Sequence, residues 1–250
     1  MIDGLVLPEW LSPDDVQWFE SNHFGKAPCA RPAAAIEAVS LCTWQTLADV
    51  LGSELPVDVL TVAGGKTVEV HPPRSRTDVL RLMETSVSVV VRGAERNDAG
   101  LARLAERFER ILPGEVHVQL YATPAGTNSY GWHYDFEDVF IAQAAGVKDY
   151  YFRANTVARD ALLGDKMDFT SFRNERSPLM SARLIAGDWL YLPARWWHLV
   201  KCVEESLSIS VGVMSPSELQ RAHRLPAGWT GERRGARPAA PVSPAEPGGE

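Results

Sequence analysis

The 250-residue chain has only three cysteines, Cys29, Cys42 and Cys202, and no two form a CxxC pair. A thiolate zinc site is excluded on that ground. So sparse and odd a count suits a reducing cytosol better than a disulfide scaffold. Basic charge is also short: 25 Lys and Arg stand against 32 Asp and Glu, a net charge of −7. A nucleic-acid partner, which draws on a basic face, is therefore not expected. No run of 18 apolar residues occurs, so no membrane-spanning helix is expected. The first residues, MIDGLVLPEWLSPDD, lack the basic and apolar regions of a secretory signal. No fixed-period repeat is present. These absences together predict a cytoplasmic protein without a membrane partner.

What is present is an ordinary globular composition, 45% hydrophobic, with length enough for one large domain. The pattern predicts helices first. SPDDVQWFESNHFG carries Ser12 as cap, Pro13 in the first turn and acids after it. LCTWQTLADVLG has Thr43 as cap, Leu47, Val50 and Leu51 on one face, and Gly52 as stop. TDVLRLMETSVSVVVRGA reads as a capped helix followed by a strand over Val87–Val91. NDAGLARLAERFERILPG places Leu101, Leu104, Ala105, Phe108, Ile111 and Leu112 on one side. Between the second and third helices, VDVLTVAGGKTVEV reads as two short strands around Gly64–Gly65.

From residue 113 the period changes. EVHVQLYATP, DVFIAQAAGVKDYYFR, SARLIAGDWLYLPA and ESLSISVGV alternate apolar and polar residues and are broken by Gly and Pro. The expected fold class is α+β with a mainly β core, an antiparallel sandwich or barrel flanked by helices. The expected organisation is one domain over 1–225, helical to about 112 and β over about 113–214. A flexible Pro- and Gly-rich tail follows over 226–250.

GWHYDFEDVF, residues 131–140, sets one histidine and three acids among large apolar residues. On a strand, His133 and Asp135 point to one face. His198 ends a Pro-containing turn in GDWLYLPARWWHLV. Two imidazoles and a carboxylate brought together inside a barrel form the facial triad of non-haem Fe(II) oxygenases, which leaves coordination positions open. Spacing alone leaves a surface turn or a satisfied polar pair as the commoner outcome for an HxD.

The surrounding residues are more specific. HYDFEDVFIAQAAGVKDYYF contains F-x-x-Q-x-x-G-x-K as Phe140, Gln143, Gly146 and Lys148. The second block contains G-D-x-L-Y-x-P-x-x-W-W-H as Gly187, Asp188, Leu190, Tyr191, Pro193, Trp196, Trp197 and His198. Together they resemble the JmjC and cupin-like family of Fe(II)- and 2-oxoglutarate-dependent oxygenases over roughly residues 40–214. The resemblance implies a double-stranded β-helix, the jelly-roll or cupin barrel. It implies that His133, Asp135 and His198 are the catalytic metal ligands for Fe(II). It implies that Lys148 pairs with the distal carboxylate of 2-oxoglutarate, the cosubstrate used with O₂. Without the resemblance, Lys148 beside Asp149 reads as a solvated hairpin lysine.

Departures from the family pattern also matter. Gln119 stands where ribosomal-oxygenase-like members carry asparagine, and Tyr130 where a branch has a cosubstrate-binding threonine. Gly212 stands where the asparagine-hydroxylase branch has asparagine. Gln119, Tyr121, Ser208 and Ser210 read equally as barrel lining or as cosubstrate contacts. Trp196 and Trp197 read as packing and one wall of the site. His23, His71, His117 and His223 read as surface or satisfied core histidines, Glu137 and Asp138 as loop charges near the mouth. Arg153, Arg173, Arg176 and Arg183 read as a solvated face.

The function implied is hydroxylation of a peptide or protein side chain, with possible homodimerisation. The narrower expectation is β-hydroxylation of His, Asn or Arg while tailoring a ribosomally made peptide natural product. The alternatives are a family oxygenase acting on a small metabolite or tRNA, and a non-catalytic peptide-binding cupin barrel.

Overall fold

The computed structural model describes residues 10, 13–128, 130–156, 172–173 and 175–216. The expected tail, His223 and the Ser12 cap lie outside the described residues. The N-terminal part holds α1 (Pro13–Asn22), β1 (Cys29–Arg31), α2 (Ile36–Leu41), α3 (Trp44–Leu51), β2 (Asp58–Ala63), β3 (Lys66–Thr67), α4 (Arg76–Glu84), β4 (Ser88–Arg92) and α5 (Ala99–Ile111). The β part follows as β5 (Glu115–Thr123), β6 (Asp138–Ala145), β7 (Lys148–Arg153), β8 (Met180–Leu184), β9 (Trp189–Leu192), β10 (Trp197–Cys202) and β11 (Ser206–Met214).

Local chemistry sets the helix starts. Thr43 and Thr46 form a reciprocal capping box on α3. The Ser75 hydroxyl accepts from the Asp78 amide and opens α4. The Asp98 carboxylate accepts from the Gly100 and Leu101 amides and opens α5. α5 buries Leu101, Leu104, Ala105 and Phe108, three or four residues apart, as its sequence pattern predicts.

Eight strands pair in the order β1-β9-β6-β11-β5-β4-β2-β3, and three more in the order β10-β7-β8. Every pairing is antiparallel. The chain crosses between the sheets four times: from β6 to β7, from β8 to β9, from β9 to β10 and from β10 to β11. This alternation makes the double-stranded β-helix that the resemblance implies. The helices and the outward side chains of the large sheet share one apolar core, including Phe19, Leu47, Leu104, Phe108, Phe140 and Trp189. Between the two sheets lies a smaller apolar cluster of Val139, Ile141, Tyr150, Phe152, Leu184, Leu190 and Leu192.

Two expectations need correction. The segment before residue 113 is not simply helical. β1 to β4 extend the large sheet on both sides, and β1, too short to show a period, pairs with β9 through Cys29–Tyr191. His133 and Asp135 also do not lie in a strand: His133 makes a single antiparallel bridge to His198. That bridge places the segment at the free edge of β10, where a fourth strand of the small sheet would run.

The β6–β7 connection turns at Gly146, which has φ +69°, and a Cβ there would overlap the Glu205 carbonyl oxygen. Gln143 ties the same turn by donating to the Ala145 carbonyl at 2.7 Å. Gly146→Ala is expected to cost at least about 2 kcal/mol, because backbone strain and the backbone clash add. Urea unfolding measures it, and a change within error of zero would refute this account of the turn.

Candidate active site

The alternation in WHYDFE is put to two uses. Trp132, Tyr134 and Phe136 point one way, His133, Asp135 and Glu137 the other. On the aromatic side, Trp132 stacks on Phe172 with centroids 4.1 Å apart. Tyr134 meets the fully buried Trp197 edge-on at 4.7 Å. On the backbone, the His133 amide donates to the His198 carbonyl at 3.1 Å and the His198 amide donates back at 2.7 Å. The Arg195 amide donates to the Asp135 carbonyl at 2.7 Å. Packing and backbone bonds together hold the polar side against β10.

On that polar side, the ligand atoms of His133, Asp135 and His198 all lie within 4.8 Å of one another. The His198 Nε2 to Asp135 Oδ2 distance is 3.4 Å. A first-row divalent ion held at about 2.1 Å imposes donor separations of roughly 3–4 Å, so small side-chain movements close the set around one ion. Tautomers favour the same outcome. His133 Nδ1 lies 2.8 Å from the Gly131 carbonyl and His198 Nδ1 lies 3.0 Å from the Trp196 carbonyl. A carbonyl only accepts, so each Nδ1 carries the proton and each Nε2 keeps its lone pair. Burial, then the neighbouring His133, lowers the pKa of His198 to about 4, which keeps that ring neutral.

Deeper in the barrel sits Lys148, 3% exposed. Its Nζ donates to Ser208 Oγ at 2.9 Å and lies 5.7 Å from the centroid of the Tyr121 ring. Among the described residues no carboxylate pairs with it. Burial lowers its pKa to about 8. The register explains the grouping: β11 sets Ser208 opposite Tyr121 and Ser210 opposite Gln119. The four share the inner face of the large sheet, and the Tyr121 hydroxyl donates to Gln119 Oε1 at 2.9 Å. The solvated-hairpin reading of Lys148 is thereby excluded. A buried cation with one hydroxyl partner is the complement of an anionic ligand, as metal donors without an ion are of a metal.

The rim holds residues that the sequence reading undervalued. Tyr130 stands over His133 with ring centroids 5.3 Å apart, and burial next to the Asp135 charge pushes its hydroxyl pKa well up. His117, read as a surface or satisfied core histidine, lies 2.8 Å from Glu137 through Nε2 and Oε2. This pair covers Gly212: a Cβ there would overlap the Glu137 carboxylate. The Glu137 side chain takes the space of the asparagine missing at 212. The signal was in the alternation, which puts Glu137 two residues after Asp135 and His117 two before Gln119. Asp138 opens β6 and accepts from the Tyr191 hydroxyl. Of the arginines, Arg183 pairs with Asp149 at 2.7 Å and Arg153 donates to the Glu175 carbonyl at 3.1 Å. His23 is satisfied by the Pro28 carbonyl, and His71 is exposed.

The comparisons with known proteins agree with this geometry. A model of the JmjC domain matches residues 93–220, half of the chain. The chain belongs to the JmjC domain family. Among its relatives in this family is Ribosomal oxygenase 1 of Gallus gallus, 30% identical over 95 residues, 38% of this chain and 16% of that protein. Jumonji C domain-containing protein 5 of Drosophila melanogaster is 31% identical over 114 residues, 39% of this chain and 28% of that protein. The crystal structure of the Escherichia coli ribosomal oxygenase YcfD superposes with a TM-score of 0.60 at 21% identity. It covers 95% of this chain and 63% of YcfD. Another YcfD structure, with the same TM-score and identity, is described as a complex with cobalt and 2-oxoglutarate. The JmjC chain described here thus spans a sixth to under a third of these curated relatives, and under two thirds of YcfD.

Lys148 costs the ligand-free JmjC domain stability. Its pKa falls from 10.5 to about 8 on folding, so the folded state holds its proton less tightly than the unfolded chain. Stability therefore rises as pH climbs from about 8 to 10.5, and at neutral pH the deficit is about 3 kcal/mol. Lys148→Met, which keeps the stem and removes the charge, is expected to raise the melting temperature of the ligand-free protein. A lower melting temperature at pH 7 would show that the ammonium is better satisfied than its one hydroxyl partner implies.

Proposed function

We propose that this chain is an Fe(II)- and 2-oxoglutarate-dependent oxygenase that hydroxylates a side chain of a peptide or protein. The observation that carries the reading is the pairing of two features in one barrel. A two-histidine, one-carboxylate donor set lies at one level, and a buried lysine without a carboxylate partner lies deeper. Neither fits a purely structural role, because each leaves donors or charge unmatched. The relatives named as ribosomal oxygenases support a protein substrate, as does the Dictyostelium discoideum relative named a bifunctional lysine-specific demethylase and histidyl-hydroxylase, 36% identical over 80 residues. Tailoring of a ribosomally made peptide by β-hydroxylation is the narrower form of the same proposal.

Bound Fe(II) and 2-oxoglutarate supply an oxidant from O₂ as the cosubstrate is decarboxylated to succinate and CO₂. The chain's own residues do the rest. His133 and His198 would each offer an Nε2 lone pair and Asp135 one carboxylate oxygen to the ion, a donor set that would leave room for further ligands. Lys148, with the Ser208 hydroxyl and the Tyr121 ring beside it, would give the distal carboxylate of the cosubstrate a point charge. Val139, Ile141, Phe152, Leu190 and Leu192 line the space between the sheets and keep water from it. The Tyr121–Gln119 hydrogen bond holds two more polar groups facing the same space.

Anaerobic titration with Mn(II), followed by calorimetry with 2-oxoglutarate, tests the reading without turnover. His198→Ala and Asp135→Ala are expected to abolish Mn(II) binding and succinate formation while keeping the far-UV spectrum. Loss of the fold in both variants would point instead to a structural metal. For 2-oxoglutarate, the sign of the pH effect follows from Lys148. Its pKa of about 8 rises when a carboxylate binds, so binding takes up a proton above pH 8. The dissociation constant is expected to stay flat from pH 6.5 to 7.5 and to rise toward about tenfold per unit above pH 8. Lys148→Ala should bind weakly with no such slope; an identical slope in the variant would remove Lys148 from the cosubstrate site.

A further inference from the structure

We infer that Arg195 is a positioning residue for the metal ligand Asp135, holding the peptide unit between Asp135 and Phe136 at its carbonyl and through the Phe136 ring. The inference rests on the metal-site reading above and adds the part of the chain that aims the carboxylate. Two of the three donors are fixed from several sides. His133 and His198 exchange both backbone hydrogen bonds, and each ring is tied through Nδ1. Asp135 is held by less. Its side chain is 42% exposed, against 8% for His198. Among the described residues its backbone has one hydrogen bond, accepted by its carbonyl from the Arg195 amide at 2.7 Å.

The same arginine also reaches the next side chain. Its guanidinium carbon lies 5.2 Å from the centroid of the Phe136 ring, within cation–π range. The Asp135 carbonyl and the Phe136 nitrogen belong to one planar unit. With its oxygen held by the Arg195 amide and the ring that follows held by the Arg195 guanidinium, this unit resists rotation. The Asp135 Cα is one corner of the plane, so the carboxylate it carries turns with it. The Phe136 ring also meets Tyr134 edge-on at 5.7 Å, and Tyr134 meets the buried Trp197 in the same way. Arg195 thereby closes a row of aromatic rings that runs from β10 back to the turn before it.

The cost of the arrangement argues that it serves the site. Arg195 has φ +70°, a left-handed backbone that glycine adopts freely and long side chains avoid. Ala33 and Ser86, the other non-glycine residues so placed among the described residues, are small. Arg195 is also taken out of water, at 5% exposure. Burying a cation costs folding energy, and backbone strain of this kind collects at binding sites. Glycine at 195 would relieve the strain and spare the burial, and would keep the amide that bonds Asp135. What it would lose is the guanidinium over Phe136. The side chain, not the turn, is what arginine adds here.

The test is Mn(II) binding by the natural chain, Arg195→Gly and Arg195→Lys. The loss of the free-ion electron paramagnetic resonance signal gives the dissociation constant, and the spectrum of the bound ion reports the symmetry of its ligands. Arg195→Gly is expected to raise the dissociation constant at least about tenfold, the size of a contact one shell outside the ligands, and to change the bound-ion spectrum. Arg195→Lys keeps a cation for the Phe136 ring and is expected to stay within about threefold of the natural chain with its spectrum. A glycine variant with the natural dissociation constant overturns the inference. So does one that binds weakly with an unchanged spectrum, which is what a loosened fold gives, and so does a lysine variant as weak as the glycine one. If the glycine variant does not fold, Arg195→Met, which keeps the stem and removes the charge, is held to the same limits. The natural chain separates the two levels: no Mn(II) binding there defeats the oxygenase reading, and binding there with an unchanged glycine variant defeats this inference alone.

Discussion

Two backbone hydrogen bonds between His133 and His198 hold the site in place. They join a segment with no regular secondary structure to the first residues of β10, and they bring two tilted imidazole rings to 4.1 Å between centroids. Side-chain packing supports that register, since a slip of one residue would turn Trp132, Tyr134 and Phe136 away from Trp197 and Phe172. With the bridge in place, the aromatic alternates Trp132, Tyr134 and Phe136 anchor one side, and the polar alternates face the barrel. The Nδ1 bonds to Gly131 and Trp196 then set both tautomers, so that both Nε2 atoms keep a lone pair for an ion.

The interior trades stability for binding capacity. An apolar residue at 148 would suit the folded chain better, yet the ammonium is held 3% exposed beside one serine hydroxyl. Such a group persists because the cores around it are large enough to carry its cost. The outer helices bury the apolar alternates of β5 and β11, Val116, Val118, Leu120, Leu207, Ile209 and Val211, and leave the inner alternates free for chemistry. Alternation in this sheet therefore means core against active site, not core against water. Ser208 and Ser210 on β11 are buried for that reason, although their sequence pattern matches that of a solvated strand.

The site is thus layered. Lys148, Ser208 and Tyr121 form a deep anion-accepting end, the triad a middle level, and the His117–Glu137 pair a partly open acidic rim. Each level comes from a different pair of elements, which is why neighbouring strands with opposite sheet membership matter. At the third, a glycine at 212 makes room for the Glu137 side chain from the opposite segment.

Much of this was legible in residue order. The α5 stripe, the Thr43 cap, the strand alternation after residue 113 and the two motif blocks are local signals, set by helix period, capping chemistry and pleat. The triad residues and Lys148 could be named because their motifs carry them. Other features could not be read, because their cause lies in chain segments far apart. β1 is three residues long and exists only by pairing with β9. β2 to β4 join the barrel sheet, not a helical region, because their partner β5 is part of it. His117 acquires Glu137 across twenty residues of chain only once β5 and the HxD segment face each other. The sequence by itself determined which residues have the chemistry to hold a metal and a dicarboxylate. The tertiary structure decided that Lys148 is buried without a counter-charge and that Glu137 stands over Gly212, because burial and partnership are properties of packed neighbours and not of residue order.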